Sequence, residues 1–422
     1  MNKVNEFLKK YRMDSSNINI EEVLNGFTLE INKGLNKFNT IEECSIPMIP
    51  TFLNPNISLR KGEKVIVVDA GGTNLRVGIA YFDGKDFIVS DCLEDKMPGI
   101  DREYGYEEFF DYIASRCIPF LDQATNIGFC FSYQVAMDES LDGKLVAWAK
   151  EIKAKEVVGK MVGASLLNAI KKYSPKKRQI VVLNDTTAVL LGGMMLDYDH
   201  EFKKYVGAIY GTGFNCCYIE DAKNIKKFKD LSGDMIINTE TGNFSGFTRG
   251  LFDDELTNES ALKNEALTEK MSSGRYLASL IYKATLKATQ DGLLSKDTHL
   301  INYKDFELPL VSMYLAGLNN DLDKCFASTL DIATFKEISY ALINRASKIV
   351  ATTIGAFAIK SNVEKIGIII EGSTFYKLPT FKESFNDYLK QVLDKYHIAY
   401  RLIDGRNRNL VGAAVAAMCK IS

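Results

Sequence analysis

The chain has 422 residues, of which 46% are hydrophobic and 25% are charged, and this length predicts two domains or lobes with substantial cores. The formal net charge is −2, so no global positive field favours nucleic acid or an acidic membrane as a partner. No apolar run is long enough to span a membrane, and residues 1–13 lack the apolar segment of a secretory signal.

The first predicted elements lead into a β-hairpin. Residues 18–38 have the periodicity of a helix, with Ile20, Val23, Leu24 and Phe27 on one face. Residues 45–55 contain three prolines and are predicted to be an extended connector.

The hairpin at residues 65–81 is the central feature of the sequence. Two apolar runs flank a turn with Asp69, Gly71, Gly72, Thr73 and Asn74. Glycine lets a backbone approach an anion, and successive amides can form an anion-binding nest, so the turn is predicted to face a phosphate. Asp69 would hold Mg²⁺ through water. The turn matches neither a Walker A loop nor a dinucleotide fingerprint, because it leads into a strand. An ordinary tight turn is the alternative.

Alternating strands and helices follow the hairpin. Residues 86–92 are predicted as a third strand, 107–122 as a helix and 127–133 as a strand that ends at Ser132. A helix over 157–173, a strand over 179–183 and a helix over 187–196 come next. Asn184, Asp185 and Thr186 lie between the last two, and the alternative interpretation of Asp185 and Thr186 is a simple helix N-cap.

The hairpin pattern recurs at residues 206–220, where a strand enters the turn formed by Gly211, Thr212 and Gly213 and leaves as a strand. Two such turns in matching context predict a duplicated domain whose halves clamp phosphates from both sides of a cleft. Residues 366–370 form a third element in which a strand leads into a turn, here with Gly372 and Ser373. Amphipathic residues 381–396 and small-residue-rich residues 411–421 are predicted helices, and the second of these can pack closely against another element.

The cysteines and histidines suggest neither a disulfide framework nor a zinc site. The eight cysteines are scattered without a CxxC pair, and Cys216 and Cys217 should point to opposite faces of one strand. They are interpreted as reduced, buried thiols of a cytoplasmic protein. The three histidines are far apart in the sequence.

In combination, these segments resemble the hexokinase family, the eukaryotic-type hexokinases and glucokinases of the actin-like ATPase superfamily. Residues 69–77 are similar to its D-x-G-G-T-N-x-R-V motif, and 183–186 are similar to its N-D-T motif. The remaining matches, in chain order, are 131–134 with S-F-P, 148–150 with W-T-K, 211–215 with G-T-G-x-N, 237–240 with I-N-x-E, 269–276 with E-K-[ML]-x-x-G-x-Y, and 366–385 with the adenosine motif.

The resemblance implies an α/β, two-lobed actin-like ATPase (ribonuclease H-like) fold, with duplicated domains whose mixed sheets are flanked by helices around a central cleft. It implies a small domain of residues 63–183 plus 409–422 and a large domain of residues 1–62 plus 184–408. Closure of the lobes on the sugar would exclude water as a competing phosphoryl acceptor.

The activity implied is transfer of the γ-phosphoryl group of ATP to the 6-hydroxyl of a hexose, with glucose the first choice and mannose or fructose as further substrates. Asp185 would accept the hydroxyl proton, and Lys150 would bind the sugar and stabilise the transferred group. The predicted sugar-binding residues are Ser132, Lys150, Asn184, Asp185, Asn215, Glu240 and Glu269. The predicted ATP-binding residues are Asp69, Gly71, Gly72, Thr73, Asn74, Thr212, Gly213, Gly372 and Ser373, with Asp69 also near Mg²⁺.

Four places depart from the family pattern. Ala149 stands where the family has a sugar-contacting threonine, and Gln134 replaces a proline. Glu371 replaces the aspartate of D-G-S, and residues 408–412 lack the glycine-rich G-S-G-[KR]-G segment. These changes bear on sugar identity, nucleotide contacts and closure.

Other functions remain open from the sequence. The protein could be a kinase of an amino sugar or N-acetylated hexosamine, or a catalytically weak sugar-sensing relative. An actin- or Hsp70-like ATPase with a protein partner is disfavoured by the sugar-binding motifs and by the lack of a long C-terminal substrate domain. A single copy of the unit leaves monomer and homodimer open.

Overall fold

The structure is a computed structural model that describes residues 3–37, 43–148, 152–319 and 321–419. Its helices are α1 Lys3–Lys10, α2 Ile20–Leu35, α3 Tyr106–Cys117, α4 Val162–Ile170, α5 Asp185–Met194, α6 Leu251–Glu259, α7 Leu267–Ser272, α8 Gly274–Gln290, α9 Leu308–Leu315, α10 Thr329–Lys360, α11 Ser373–Lys377, α12 Phe381–Asp394 and α13 Asn409–Met418. Its strands are β1 Ile49–Pro50, β2 Lys64–Ala70, β3 Asn74–Phe82, β4 Phe87–Lys96, β5 Asn126–Phe131, β6 Gln134–Met137, β7 Gly143–Ala147, β8 Gln179–Leu183, β9 Tyr205–Tyr210, β10 Phe214–Asp221, β11 Asp234–Asn238, β12 Lys365–Glu371 and β13 Ala399–Asp404.

Two large mixed sheets repeat one pairing pattern. One sheet has the order β4-β3-β2-β5-β8, and the other has the order β1-β11-β10-β9-β12-β13. In each sheet, an antiparallel hairpin is followed by two parallel pairings. In the first sheet β2 pairs with β3 in the hairpin, and the parallel pairings are β2 with β5 and β5 with β8. In the second sheet β9 pairs with β10 in the hairpin, and the parallel pairings are β9 with β12 and β12 with β13. The shared pattern agrees with the predicted α/β fold with duplicated mixed sheets. A separate hairpin pairs β6 with β7.

The strands of the first hairpin are apolar on both sides because both faces of their sheet are covered. Along β2, Ile66 and Val68 enter one core with α3 and α4, whereas Val65 and Val67 enter another core with α5 and α13. Cys216 and Cys217 likewise enter different cores, which confirms their predicted opposite orientation. A strand that is buried on both faces has a continuous run of apolar residues, and the sequence of β2 has such a run.

Helices α5 and α13 lie between the two sheets. Helix α5 contacts β9 and β12 of one sheet, α13 contacts β2 and β5 of the other, and the two helices contact each other. A Cβ atom on Gly412 would lie 1.8 Å from the carbonyl oxygen of Ala188, and one on Gly128 would lie 1.9 Å from that of Ala413. The predicted close packing of the small-residue helix is therefore confirmed, because only glycine leaves room for these backbones.

Most predicted elements are confirmed, with shifts at their ends. The predicted helix over 157–173 is shorter, since α4 covers only Val162–Ile170 and residues 155–157 form a 3-10 turn. The predicted helix over 187–196 begins earlier, at Asp185, because Asn184 is the cap. The proline-rich connector contributes a two-residue strand that pairs with β11. The end of the last predicted helix, residues 420–421, lies outside the described residues.

The thiols and the long helices complete the description of the fold. All eight cysteines are free; six are buried, but Cys92 and Cys419 are exposed, so the prediction of burial was wrong for these two. Across the described ranges, none of the helices combines the length and the apolar composition that crossing a bilayer requires. The domain boundaries proposed from the resemblance stay a prediction.

The contact between α13 and α5 gives a test of stability. Gly412→Ala is expected to lower the free energy of unfolding by about 2–4 kcal/mol, because the added methyl group overlaps the Ala188 carbonyl and forces the helices apart. Chemical denaturation followed by circular dichroism measures the change. Gly105→Ala is the control, since the nearest atom to its added Cβ is 3.4 Å away on a flexible side chain. Equal unfolding midpoints for the two variants would contradict this account of the helix contact.

Candidate active site

A cleft of about 370 Å³ opens where the first hairpin turn meets the start of α5. Its walls bring together residues that are far apart in the sequence, including predicted phosphate, sugar and base positions. They are Asp69, Gly71, Gly72, Thr73, Asn74, Arg76, Glu94, Ser132, Asp185 and Asn409.

Asp69 is buried at the end of β2, with 3% of its surface exposed. Arg76, opposite it on β3, donates a hydrogen bond to Asp69 Oδ2 and forms an ion pair with it. Oδ1 is buried too, and no nitrogen or oxygen donor of the described residues reaches it, although the Cys130 thiol is adjacent. A buried carboxylate oxygen without such a donor is costly, which is the expected property of an atom that serves a ligand.

The turn after Asp69 is held from several sides. Gly71 and Asn74 exchange backbone hydrogen bonds of 3.2 and 3.1 Å. The Tyr133 hydroxyl donates to the Gly72 carbonyl at 3.4 Å, and Asn74 Nδ2 donates to Glu94 Oε1 at 2.9 Å. A Cβ on Gly71 would lie 3.5 Å from Ser132 Oγ, so the turn and the end of β5 share one wall of the cleft. The turn is therefore a fixed shape before any ligand arrives.

Strand β8 delivers Asp185 to the same cleft. Asn184 caps α5 by accepting a hydrogen bond from the Thr186 amide at 2.9 Å. That amide also donates to Asp185 Oδ1 at 2.8 Å, which fixes one carboxylate oxygen. The N-cap is Asn184, so the alternative that Asp185 and Thr186 are the cap was wrong. Asp185 is the first helical residue and lines the cleft. The N-terminus of a helix favours a negative charge, so the carboxylate is well accommodated there.

The second turn meets the start of α11 on the other sheet. The Gly211 amide donates to the Gly213 carbonyl at 3.0 Å, and the Thr212 side chain is exposed. Gly372 has φ of 126°, and a Cβ there would lie 2.1 Å from the Tyr210 carbonyl oxygen, so only glycine fits. Ser373 follows it as the first residue of α11. These residues do not line the cleft at Asp69 but form a second group beside it.

A chain of hydrogen bonds connects α5 with the predicted sugar-binding residues. Asn215 Nδ2 donates to Thr186 Oγ1 at 3.2 Å and to Asn238 Oδ1 at 2.8 Å. Asn238 Nδ2 in turn donates to Glu240 Oε1 at 2.9 Å. Glu269 joins from α7, where its Oε2 accepts a hydrogen bond from the Phe214 amide at 3.1 Å. Asn215 therefore positions neighbouring groups in addition to any contact with a ligand.

Two carboxyl groups in this region, those of Glu240 and Glu371, have raised pKa values. Burial, followed by the charges of Asp185 and Glu269, raises the pKa of Glu240 to about 7, against the opposing hydrogen bond from Asn238. Burial and the charge of Asp185 also raise the pKa of Glu371 to about 7. Because the charge of Asp185 contributes to both shifts, these three carboxyl groups lie close together in one region of the molecule.

Some functional candidates carried no signal in the sequence. Glu94 supports the first turn because β4 pairs with β3, and Asn409 reaches the cleft because α13 packs on α5. Asn238 lies in a recognised motif, but its hydrogen bonds with Asn215 and Glu240 depend on the pairing of β10 with β11, which the sequence did not show. Lys150 and Ala149, which the sequence analysis singled out, lie outside the described residues.

Among the residues that the structure describes, no group of three or more His, Cys, Asp or Glu side chains is arranged to hold a metal ion. The three histidines are exposed.

Comparison with known proteins identifies the family. A family model described as hexokinase matches residues 205–419, and a second model with the same description matches residues 3–195. The chain belongs to the hexokinase family. Members of this family are phosphotransferases that use an alcohol group as acceptor, and membership implies that the enzyme uses ATP.

Individual hexokinases are similar over most of the chain. Hexokinase-1 of Saccharomyces cerevisiae is 25% identical over 99% of this chain and 92% of its own length. Hexokinase HKDC1 of Mus musculus is 31% identical over 69% of this chain and 33% of its own length. A structure of the Schistosoma mansoni hexokinase complexed with glucose matches with a TM-score of 0.82 and 24% identity, covering 99% of this chain and 98% of that one. The ROK hexokinase of Thermus thermophilus, with a TM-score of 0.54, shares the fold at 16% identity over 85% of this chain and 99% of that one.

The raised pKa of Glu240 predicts a pH-dependent stability difference. Because its pKa in the folded protein lies above that of the unfolded chain, this group contributes stability at low pH that is lost as the pH rises through about 7. Glu240→Gln removes the ionisation, so without sugar the variant should be more stable than the parent by roughly 1–3 kcal/mol at pH 8.5. Thermal unfolding from pH 5.5 to pH 8.5 measures the difference, which should shrink towards the acid end. A constant difference across this range would refute the assignment.

Proposed function

We propose that this hexokinase transfers the γ-phosphoryl group of ATP to the 6-hydroxyl of a hexose, with glucose the preferred acceptor and Asp185 the general base. The observation that carries the proposal is the shared cleft, in which the Asp185 carboxylate meets Asp69, the glycine turn and Ser132. The base, a sugar-binding candidate and the phosphate-binding candidates thus border one space, which in-line transfer to a hydroxyl requires. A relative crystallised with glucose supports the choice of acceptor.

Proton removal from the acceptor is the task of Asp185. A carboxylate whose Oδ1 is fixed by the Thr186 amide keeps a defined direction, so the hydroxyl that donates to it is aligned as well. The start of α5 stabilises the ionised form, which is the form that can accept a proton. By the family resemblance, Lys150 would balance charge on the transferred group.

The sugar would be held by Asn215 and Glu240 of the hydrogen-bond chain and by polar groups outside it. Glu240 and Glu269 supply carboxylate acceptors, and Asn184, Asn215 and Ser132 supply polar groups of both kinds. The bonds from Asn215 to Thr186 and Asn238 connect sugar binding to the beginning of the helix that carries the base. A sugar that engages Glu240 by hydroxyl donation favours its ionised form and lowers its pKa from about 7.

The phosphate side of the site suits Mg²⁺ bound through few protein atoms. Asp69 Oδ1 is a buried carboxylate oxygen that no nitrogen or oxygen donor of the described residues reaches, and hard oxygen donors are the ligands that Mg²⁺ prefers. When bound, the ion would neutralise charge on the phosphates of ATP. Arg76 holds Asp69 in its orientation, and the amides around Gly72 and Gly213, with Thr212, face phosphate oxygens. Ser373 and Gly372 would lie beside the adenosine.

The cell compartment and the assembly state belong to the same proposal. The eight free cysteines suit a reducing compartment, so we propose a cytoplasmic enzyme. Either a monomer or a homodimer agrees with a single catalytic unit.

Replacement of the base tests the catalytic assignment. Asp185→Asn is expected to lower kcat by about 10²–10⁴-fold, because the amide cannot accept the hydroxyl proton, while glucose still binds. A coupled assay with ATP and Mg²⁺ on glucose, mannose, fructose, glucosamine and N-acetylglucosamine measures turnover, and calorimetry measures binding.

The control for this experiment is Asp122→Asn, in which the replaced carboxylate is 92% exposed and remote from the cleft. It should retain the parent rate. Undiminished turnover by Asp185→Asn would eliminate this residue as the base. Sugar binding by the parent protein without turnover of any acceptor would favour a sensing role instead.

Replacement of Asp69 tests the metal assignment. Asp69→Asn is expected to raise the Mg²⁺ concentration for half-maximal rate by about tenfold, since a neutral amide attracts the hydrated ion more weakly. Rates measured across a Mg²⁺ series at saturating sugar give this value, and the calorimetric affinity for glucose should stay within about twofold. An unchanged Mg²⁺ dependence would show that Asp69 acts otherwise.

A further inference from the structure

A second cavity, of about 630 Å³, lies on the five-stranded half of the molecule, between the end of α4 and the start of β8. It shares no residue with the cleft at Asp69. Apolar side chains form part of its wall, namely Ala164, Leu167, Ile170 and Pro175. Its volume is within the range of about 300–1,000 Å³ that is typical of small-molecule sites.

Four cationic side chains and Asn168 form the rest of the wall. Lys171, Lys176, Lys177 and Arg178 all line the cavity, although the whole chain has a net charge of −2. The two nearby acidic groups balance this only in part. Asp122 forms an ion pair with Lys176 at 3.0 Å, and Asp111 pairs with Lys172, which is not a lining residue, at 3.3 Å. The cavity therefore carries a local excess of positive charge.

Arg178 is built into the wall and is not a surface side chain. Only 8% of its surface is exposed. Its two terminal nitrogens donate to the carbonyls of Lys176 and Leu121, at 2.8 and 2.7 Å, and to Ser174 Oγ at 2.9 Å. These partners are neutral, so they orient the guanidinium without cancelling its charge.

The remaining donor of Arg178 is unsatisfied. Within the described ranges, the buried Nε atom has no hydrogen-bond partner. A buried charged donor without a partner costs free energy unless a ligand or solvent compensates it. Burial also lowers the pKa of Arg178, which is the sign of a poorly solvated charge.

We propose that this cavity binds an amphiphilic anion, a carboxylate or phosphate monoester head group on an apolar body. The head group compensates Arg178, Lys171 and Lys177, and the body covers Leu167, Ile170 and Pro175. A polar anion alone would leave the apolar wall exposed, and a neutral apolar molecule would leave the cationic groups uncompensated. The concave shape suits a single molecule better than a flat membrane surface. The inference is independent of the acceptor and base of the kinase reaction.

The cavity has a direct covalent connection to the active site. Arg178 immediately precedes β8, and β8 ends one residue before the cap of α5 and two before Asp185. Occupancy at one end of this strand is thus in a position to change the kinase rate.

The test titrates the full-length protein with decanoate and with decyl phosphate, each below its micelle concentration, by calorimetry. One molecule per chain is expected to bind saturably, and acetate and inorganic phosphate should bind at least tenfold more weakly because they lack the apolar body. The double variant Lys171→Glu/Lys177→Glu should weaken both ligands at least tenfold. Its matched control, Lys155→Glu/Lys172→Glu, changes two exposed lysines outside the cavity and should stay within about threefold, the residual effect being long-range charge.

A second variant fills the cavity without altering its charge. Ala164→Phe adds a ring to an exposed position of the wall and should weaken decanoate at least fivefold while sugar phosphorylation without decanoate is unchanged. Three results would overturn the proposal: no saturable binding of either ligand, equal weakening by the two charge-reversal variants, or binding only to vesicles of acidic phospholipid. The last would indicate a membrane-facing surface in place of a site for one molecule.

Discussion

The arrangement of the whole enzyme depends on the contact between α5 and α13. These helices fill the space between the two sheets. Gly412 against Ala188 lets their backbones approach within a distance that any side chain would prevent, and Gly128 of β5 lets that strand approach α13 at Ala413 in the same way. Because both helices begin at the cleft, this contact also determines where Asp185 and Asn409 lie relative to the glycine turn of the first hairpin. This closely packed pair of helices between two similar sheets holds the cleft residues from distant segments of the chain in one place.

The site contains several carboxyl groups, and their negative charges are compensated to different extents. Asp69 has the ion pair with Arg76, and Asp185 has the helix start, whereas Glu240 and Glu371 have pKa values raised to about 7 by burial and by the field of Asp185. A crowded set of carboxylates is costly in the empty enzyme. In the proposed reaction, sugar hydroxyls would donate hydrogen bonds to these carboxylates, and the Mg²⁺ that accompanies ATP would compensate negative charge. The empty site therefore stores unfavourable free energy that ligand binding can release.

Local sequence information predicted the strand and turn elements well and the helix ends less well. Both glycine hairpins, β8 and β12 were recognisable because apolar runs end in turn residues. Helix α4 was predicted too long, since Val157 belongs to a 3-10 turn that packs on the same core as the helix. The 32-residue helix α10 was not predicted, because it is apolar on most sides and lacks the periodicity of a surface helix.

The sequence by itself determined the fold class, the two phosphate-type turns, and the candidate residues Asp69, Asp185, Glu240 and Glu269, because strand runs, glycine turns and ordered motifs are local properties. The tertiary structure decided which of these share a space. Pairing of β3 with β2 brought Arg76 to Asp69, and pairing of β10 with β11 joined Asn215 to Asn238 and so to Glu240. The tertiary structure also formed the cavity around Arg178, whose wall has both basic and apolar side chains, from the end of α4 and the start of β8. Burial, charge crowding and unsatisfied donors depend on neighbours distant in the chain, and only the folded protein specifies those neighbours.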